Sequence, residues 1–292
     1  MRWNRRGGRS SDVVDARGGG LRPGVAVPGG IGLAGVIVYL LIQVLSGGGG
    51  SAPAFGVDDP FSQGVQPPGG TRGIPAGEDP ERDLKNFSTY VFSRTLNTWA
   101  PIFAASGEPF ARAKVVLYRG AVSTGCGGAS SAVGPFYCPA DQRVYLDLGF
   151  YGDMERQLGA PGDFAWAYVI AHEVGHHVQQ QLGTGDQVRR LQQERPGEAN
   201  DLSVRIELQA DCYAGVWAHS VYAAGDLEDG DVREATTAAA AVGDDRLQRR
   251  ATGRVNPDSF THGSSEQRTE WFNRGRAEGD PADCDTFSPD AV

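Results

Sequence analysis

No charged residue occurs from Pro23 to Gly50, and this interruption limits what the chain can build more than any other feature. Within it, Gly24 to Leu45 is a 22-residue run in which only Gln43 is strongly polar. At about 1.5 Å per residue, a helix of that length spans roughly 33 Å, close to a bilayer core of about 30 Å. Charge divides at the same place. Residues 1–22 carry six Arg against two Asp, so the rest of the chain must hold −13 to reach the formal net charge of −9. The positive-inside rule then makes residues 1–23 a cytoplasmic tail, expected to be disordered because it lacks apolar periodicity. Residues 24–46 become a transmembrane anchor in a cell membrane, and everything beyond is translocated. Gly47–Gly50 and Pro67-Pro68-Gly69-Gly70 mark residues 47–80 as a flexible linker. A cleaved signal peptide is the alternative, since Ala52-Pro53-Ala54 has the form of a cleavage site. A signal core of about 7–15 residues is shorter than this run, which favours the uncleaved anchor.

About 210 residues, 81–292, remain to build a folded domain. Their acidic balance argues against nucleic-acid binding, which needs a basic footprint. Four cysteines, Cys126, Cys138, Cys212 and Cys284, all follow the anchor, as suits an oxidising compartment. None forms a C-x-x-C pair, which disfavours a cysteine zinc site. Of three possible connectivities, Cys126–Cys138 with Cys212–Cys284 is preferred, because the first pair brackets a short Gly-rich loop.

Leu84, Phe87, Val91, Leu96 and Trp99 recur at helical spacing. Lys114–Tyr118 and Arg143–Phe150 read as strands, the second a candidate sheet edge for pairing with an extended peptide. A long helix is expected from an N-cap at Asp163 to Leu182, with Gly183 in the left-handed position after it. Further helices are expected over 201–224, over 231–249, and from Ser264 to Ala277, where Ser264 and Gln267 form a capping box. The sum is an α+β domain, mostly helical with a small sheet, preceded by one transmembrane helix.

The chemistry is concentrated in His172-Glu173-Val174-Gly175-His176. On a helix, positions i and i+4 share a face, so both imidazoles can hold one metal ion. Glu173 lies near enough to reach a water there. Neutral imidazoles suit Zn²⁺, which lowers the pKa of water while a carboxylate takes its proton. Catalytic zinc needs a third protein ligand. The metzincin pattern would require Gly at 179 and His at 182, where this chain has Gln179 and Leu182. Glu207 fits the role, with Asp211 one helical turn later to hold a ligand imidazole by its other N–H. Glu194 and Glu198 are rivals, but they flank Pro196-Gly197 in an expected turn.

HEVGHH, Glu207-Leu-Gln-Ala-Asp-Cys-Tyr-Ala-Gly-Val-Trp217, Gly134-Pro-Phe-Tyr-Cys-Pro139 and Phe260-Thr-His-Gly-Ser-Ser-Glu-Gln-Arg268 together resemble the bacterial neutral zinc metallopeptidase family over residues 81–287 and in the single N-terminal anchor. The resemblance implies a zincin-like fold of the gluzincin type, with His172, His176 and Glu207 as zinc ligands. It also implies Glu173 as general base and Asp211 as the residue that orients a ligand. It brings no substrate.

The remaining histidines differ. His177 points about 100° away from His176 and reads as structural, as does His219. His262, in Thr261-His262-Gly263 before the capped helix, is a candidate donor to the oxyanion of a tetrahedral intermediate. These residues point to an extracytoplasmic peptidase acting on peptide or protein. Two rivals stand beside it: a non-catalytic zinc-containing envelope protein that binds peptides or partner proteins, and a hydrolase of a non-peptide amide. An intact Glu173 argues against the first, since a pure binder needs no base.

Overall fold

Residues 1–4, 10–18, 74, 77–289 and 291–292 are described by a computed structural model. The anchor expected at 24–46 and nearly all of the linker lie outside them. Among the described residues no helix is long and apolar enough to cross a membrane.

The first surprise is at the N-terminus. Val13–Asp15 form a strand, β1, that pairs in parallel with β2, Lys114–Tyr118. The expectation of a disordered tail therefore fails for residues 10–18. Apolar periodicity could not reveal a three-residue strand whose partner lies a hundred residues away. Trp3 packs on Phe87 and Tyr90, and the Met1 ammonium lies 2.9 Å from Asp163 and 3.3 Å from Asp231.

Between β1 and β2 comes helix α1, Arg82–Ala105, which buries Phe87, Val91, Phe92, Leu96, Trp99 and Phe103, close to the stripe read from the sequence. After β2, a hairpin of β3, Ala121–Thr124, and β4, Gly127–Ser130, stands apart as a two-stranded sheet. Strands β5, Phe136–Cys138, and β6, Arg143–Asp147, complete the main sheet in the order β1-β2-β6-β5. Here β6 is parallel to β2 and β5 is antiparallel to β6. The strand expected at Arg143–Phe150 ends at Asp147 and is interior, and Gly149–Asp153 turns into a short helix, α2. The sheet's edge on that side is β5 instead.

Helix α3, Asp163–Gln181, carries the two-histidine motif through the centre of the domain. It is capped by Gly162, and Asp163 is its first residue, with its carboxylate turned to the Met1 ammonium. Gly183 has φ 76°, the left-handed conformation expected after the helix. The charged segment beyond is a helix, α4, Thr184–Glu194. Helix α5, Ala199–Ala223, runs beside α3 and is also deeply buried. The single helix expected over 231–249 is broken into α6, Asp231–Ala241, and α7, Asp244–Thr252. The break falls at Gly243, where a Cβ would come within 2.4 Å of the Ser265 backbone nitrogen. Helix α8, Ser265–Glu278, begins with both hydrogen bonds of the expected capping box.

Two close approaches set the helix arrangement. A Cβ on Gly215 of α5 would lie 2.1 Å from the Phe272 carbonyl oxygen, and one on Gly275 of α8 would lie 2.0 Å from that of Cys212. Only glycine at both positions lets these helices touch backbone to backbone. Gly175, inside the two-histidine motif, packs against Ala210, where a Cβ would stand 3.0 Å from the carbonyl oxygen. That contact brings the HEVGH turn of α3 against the Glu207–Asp211 turn of α5. Both disulfides, Cys126–Cys138 and Cys212–Cys284, form as read from the sequence, the second tying α5 to the C-terminal segment.

Candidate metal centre

Helical spacing puts His172 and His176 on one face of α3, their ring centroids 4.8 Å apart and nearly perpendicular. From α5, Glu207 reaches both. Its Oε2 lies 3.2 Å from His172 Nε2 and its Oε1 lies 3.5 Å from His176 Nε2. Two ligands held at about 2.0–2.1 Å by a tetrahedral zinc ion are roughly 3.3 Å apart, so the spacing fits such an ion. The orientation fits as well. His172 Nδ1 is 2.9 Å from Asp211 Oδ1, and His176 Nδ1 is 2.9 Å from Gln179 Oε1. With each Nδ1–H donated to an oxygen, both Nε2 lone pairs are left for a metal.

The sequence-derived set therefore comes together. Glu173 is 7% exposed and faces the same cavity, of about 540 Å³, as His172, His176, Glu207 and His262. Burial pushes its carboxyl upward, against the pull of both imidazoles. Glu207 is the reverse case. Burial favours its neutral form, but His176, His172 and His262 outweigh it and hold the carboxyl well below the usual range. Burial would also depress His172, yet Asp211 and Glu207 raise it to about 10. The pocket is thus strongly disposed to take up a cation, whether protons or a metal. The rival carboxylates do not join it: Glu194 ends α4 and Glu198 lies in the following 3-10 turn, both exposed. His177 points elsewhere, between Tyr137 Oη at 3.1 Å and the Ala111 carbonyl at 2.7 Å, and His219 bonds the Arg276 carbonyl.

The family described as "putative neutral zinc metallopeptidase" matches residues 1–287. The chain belongs to that family. An uncharacterised Escherichia coli K12 protein, YpfJ, is 49% identical over 294 residues, covering 98% of this chain and 99% of the relative. An uncharacterised Mycobacterium tuberculosis protein, Rv2575, is 49% identical over 201 residues, covering 65% of this chain and 66% of the relative. No solved structure matches.

In this family member, several residues that spacing alone did not single out complete the site. Arg268, on α8, is buried with Nε 2.8 Å from Asp211 Oδ2 and Nη2 3.0 Å from Oδ1, a two-pronged clamp. Tyr168 also donates to Asp211, which has no exposed surface. A signal for Arg268 did exist: Arg268, Trp271, Phe272 and Gly275 form the buried stripe of α8, and an arginine in such a stripe needs a carboxylate. Gln179 occupies the next turn of the ligand face, and its amide donates to the Ile206 carbonyl at 2.6 Å. Around His262, the Asp244 carboxylate at the start of α7 accepts from the backbone N–H groups of Thr261 and His262, each at 2.7 Å. It thereby fixes the loop that presents the ring.

Proposed function

We propose that this domain hydrolyses peptide bonds outside the cytoplasm, on a protein attached to the cell membrane by its uncharged run, with Zn²⁺ as cofactor. The observation that carries the reading is the convergence of two pre-oriented imidazoles, Glu207 and the buried Glu173 on one cavity. His172, His176 and Glu207 would hold the ion, which when bound supplies Lewis-acid chemistry toward water and the scissile carbonyl. Glu173 takes a proton from the attacking water as its oxygen bonds to the carbonyl carbon. The same carboxyl then returns a proton to the departing nitrogen as the C–N bond breaks. A base whose pKa has been raised by burial suits both halves of that shuttle. His262 Nδ1 faces Thr261 Oγ1 at 2.9 Å and Asp244 Oδ1 at 3.5 Å, so Nε2 is the nitrogen that can donate toward the oxyanion. Burial opposes charge on that ring, but Asp244 and Glu207 outweigh it and raise its pKa.

Phe136 and Tyr137 of the edge strand β5 line the cavity, where an extended substrate could add backbone hydrogen bonds. The decisive experiment couples metal analysis to peptide-library cleavage. Glu173→Gln should keep its zinc while hydrolysis falls by about 10²–10⁴-fold. Cleavage of non-peptide amides alone, or full turnover by the Gln variant, would end the reading. His262→Ala should fold normally and lose about 10²–10³-fold in kcat.

A further inference from the structure

The described residues on the two sides of the uncharged run in sequence meet at one point of the domain. Arg17 and Asp79, 62 positions apart, meet there, with Nη2 2.5 Å from Oδ2 and Nη1 3.0 Å from Oδ1. The Arg17 side chain has no exposed surface and that of Asp79 is 1% exposed. Asp15 accepts from Arg17 Nε at 2.9 Å, and Glu81 lies 3.4 Å from Nη1. A guanidinium is buried this completely only when carboxylates surround it. Burial would raise the Asp15 carboxyl, yet Arg17 and Lys85 overcome it and bring it down to about 2.

The clasp is continuous with backbone pairing. Val13, Val14 and Asp15 are in register with Val115, Val116 and Leu117, and the Ala16 N–H reaches the Leu117 carbonyl at 2.8 Å. Upstream, Asp12 pairs with Arg112. This conflicts with a single crossing. A bilayer core of about 30 Å separates the two ends of one transmembrane pass, whereas these ends share a ladder and a buried ion pair. Arg17 is neutralised by the domain's carboxylates and is not free to hold the tail in the cytoplasm.

We propose that residues 1–4 and 10–18 are part of the catalytic domain and share its compartment, so that Arg17 and Asp79, on either side of the uncharged run in sequence, lie on one side of the membrane. The membrane contact itself rests on the anchoring reading above; the sidedness does not. Exposed Ser11 and exposed Ala251, on α7, provide reporters on the two parts. The Ser11→Cys and Ala251→Cys variants of the full chain would be labelled with a membrane-impermeant maleimide in intact bacterial cells and again after lysis. Equal labelling of the two at each stage is expected. Labelling of the Ala251→Cys variant in intact cells, with the Ser11→Cys variant reached only after lysis, would overturn the proposal. Alkaline carbonate extraction reports anchoring separately: release of the wild type would end the anchoring reading without altering the sidedness result. The clasp is checked on the detergent-solubilised full chain with Arg17→Gln, Asp79→Asn and the double variant. The double should unfold close to the midpoint of the worse single variant. Fully additive losses would mean that the two residues do not meet, and the proposal would fall.

Discussion

The two imidazoles that face Glu207 are one helical turn apart, yet they are oriented by opposite chemistry. His172 donates to a fully buried carboxylate, Asp211, that is itself clamped by Arg268 and Tyr168. His176 donates to a neutral amide, Gln179, that hands its own N–H to the Ile206 carbonyl and to Gln209. Gln209 in turn donates to the Cys284 carbonyl, beside the Cys212–Cys284 disulfide. One side is therefore a charged network in which Asp211 and Arg268 depend on each other as counter-ions. The other is a chain of dipoles anchored on backbone. In a medium of low dielectric the first is the more fragile, because removing one partner strands a charge.

The largest expected effect follows directly. Asp211→Ala leaves Arg268 buried without its carboxylate, a loss of about 3–5 kcal/mol in stability. It also frees His172 to rotate, and removal of such an orienting partner costs about 10–100-fold in metal affinity. Chemical denaturation and zinc competition against a chelator would measure both. If Asp211→Ala melts like the wild type, the charged network is not what holds α8 against α5.

Acidity separates the networks next. In protein stripped of metal, His172 titrates at about 10 against an ordinary value near 6.5. Its contribution to stability is fully present below about pH 6.5 and is lost as pH rises through about 10. Asp211 is held below its ordinary value once Arg268 and His172 overcome the effect of burial, so its contribution is present above about pH 4 and lost on acidification. Thermal melts of the stripped protein should therefore decline toward alkaline pH. Zinc affinity should move the opposite way, rising with pH as protons leave the imidazoles. A stripped protein whose melting temperature rises steadily from pH 7 to 10 would contradict the pairing of His172 with Asp211.

These networks also show which parts of the fold a sequence can disclose. His172, His176, Glu207 and Asp211 were legible because each pair is four residues apart on one helix, and a metal needs that spacing. The capping box at Ser264 and the turn at Gly183 were legible for the same reason, being local. Arg268 acts on Asp211 from 57 positions away, and β1 pairs with a strand about a hundred positions on. Neither contact leaves a period in the chain. The break at Gly243 was hidden by alanine-rich sequence on one side of it, where helix propensity is high. Ser265 comes too close to that position for any side chain, a contact that no local pattern shows. The strand Arg143–Asp147 carried the right propensity but not its place in the sheet, since β5, too short to stand out, took the edge.

The smallest expected effect falls on the neutral side. Gln179→Ala removes the acceptor from His176 Nδ1 but strands no charge, since the Ile206 carbonyl loses only one neutral donor. The stability loss should be about 1–2 kcal/mol, the usual penalty for one buried neutral group left unpaired. Zinc affinity should fall by about 10-fold, the low end for loss of an orienting group. Gln179→Glu sharpens the comparison. It restores an acceptor for His176 and strengthens that bond, but it turns a carboxylate oxygen toward the Ile206 carbonyl and the Gln209 Oε1 that the Gln179 amide served as donor. Zinc affinity should then recover toward wild type while stability falls below that of Gln179→Ala. If Gln179→Glu proved the more stable of the two, a charged orienter would be as well tolerated beside His176 as beside His172. The asymmetry between the two imidazoles would then owe nothing to the clamp by Arg268.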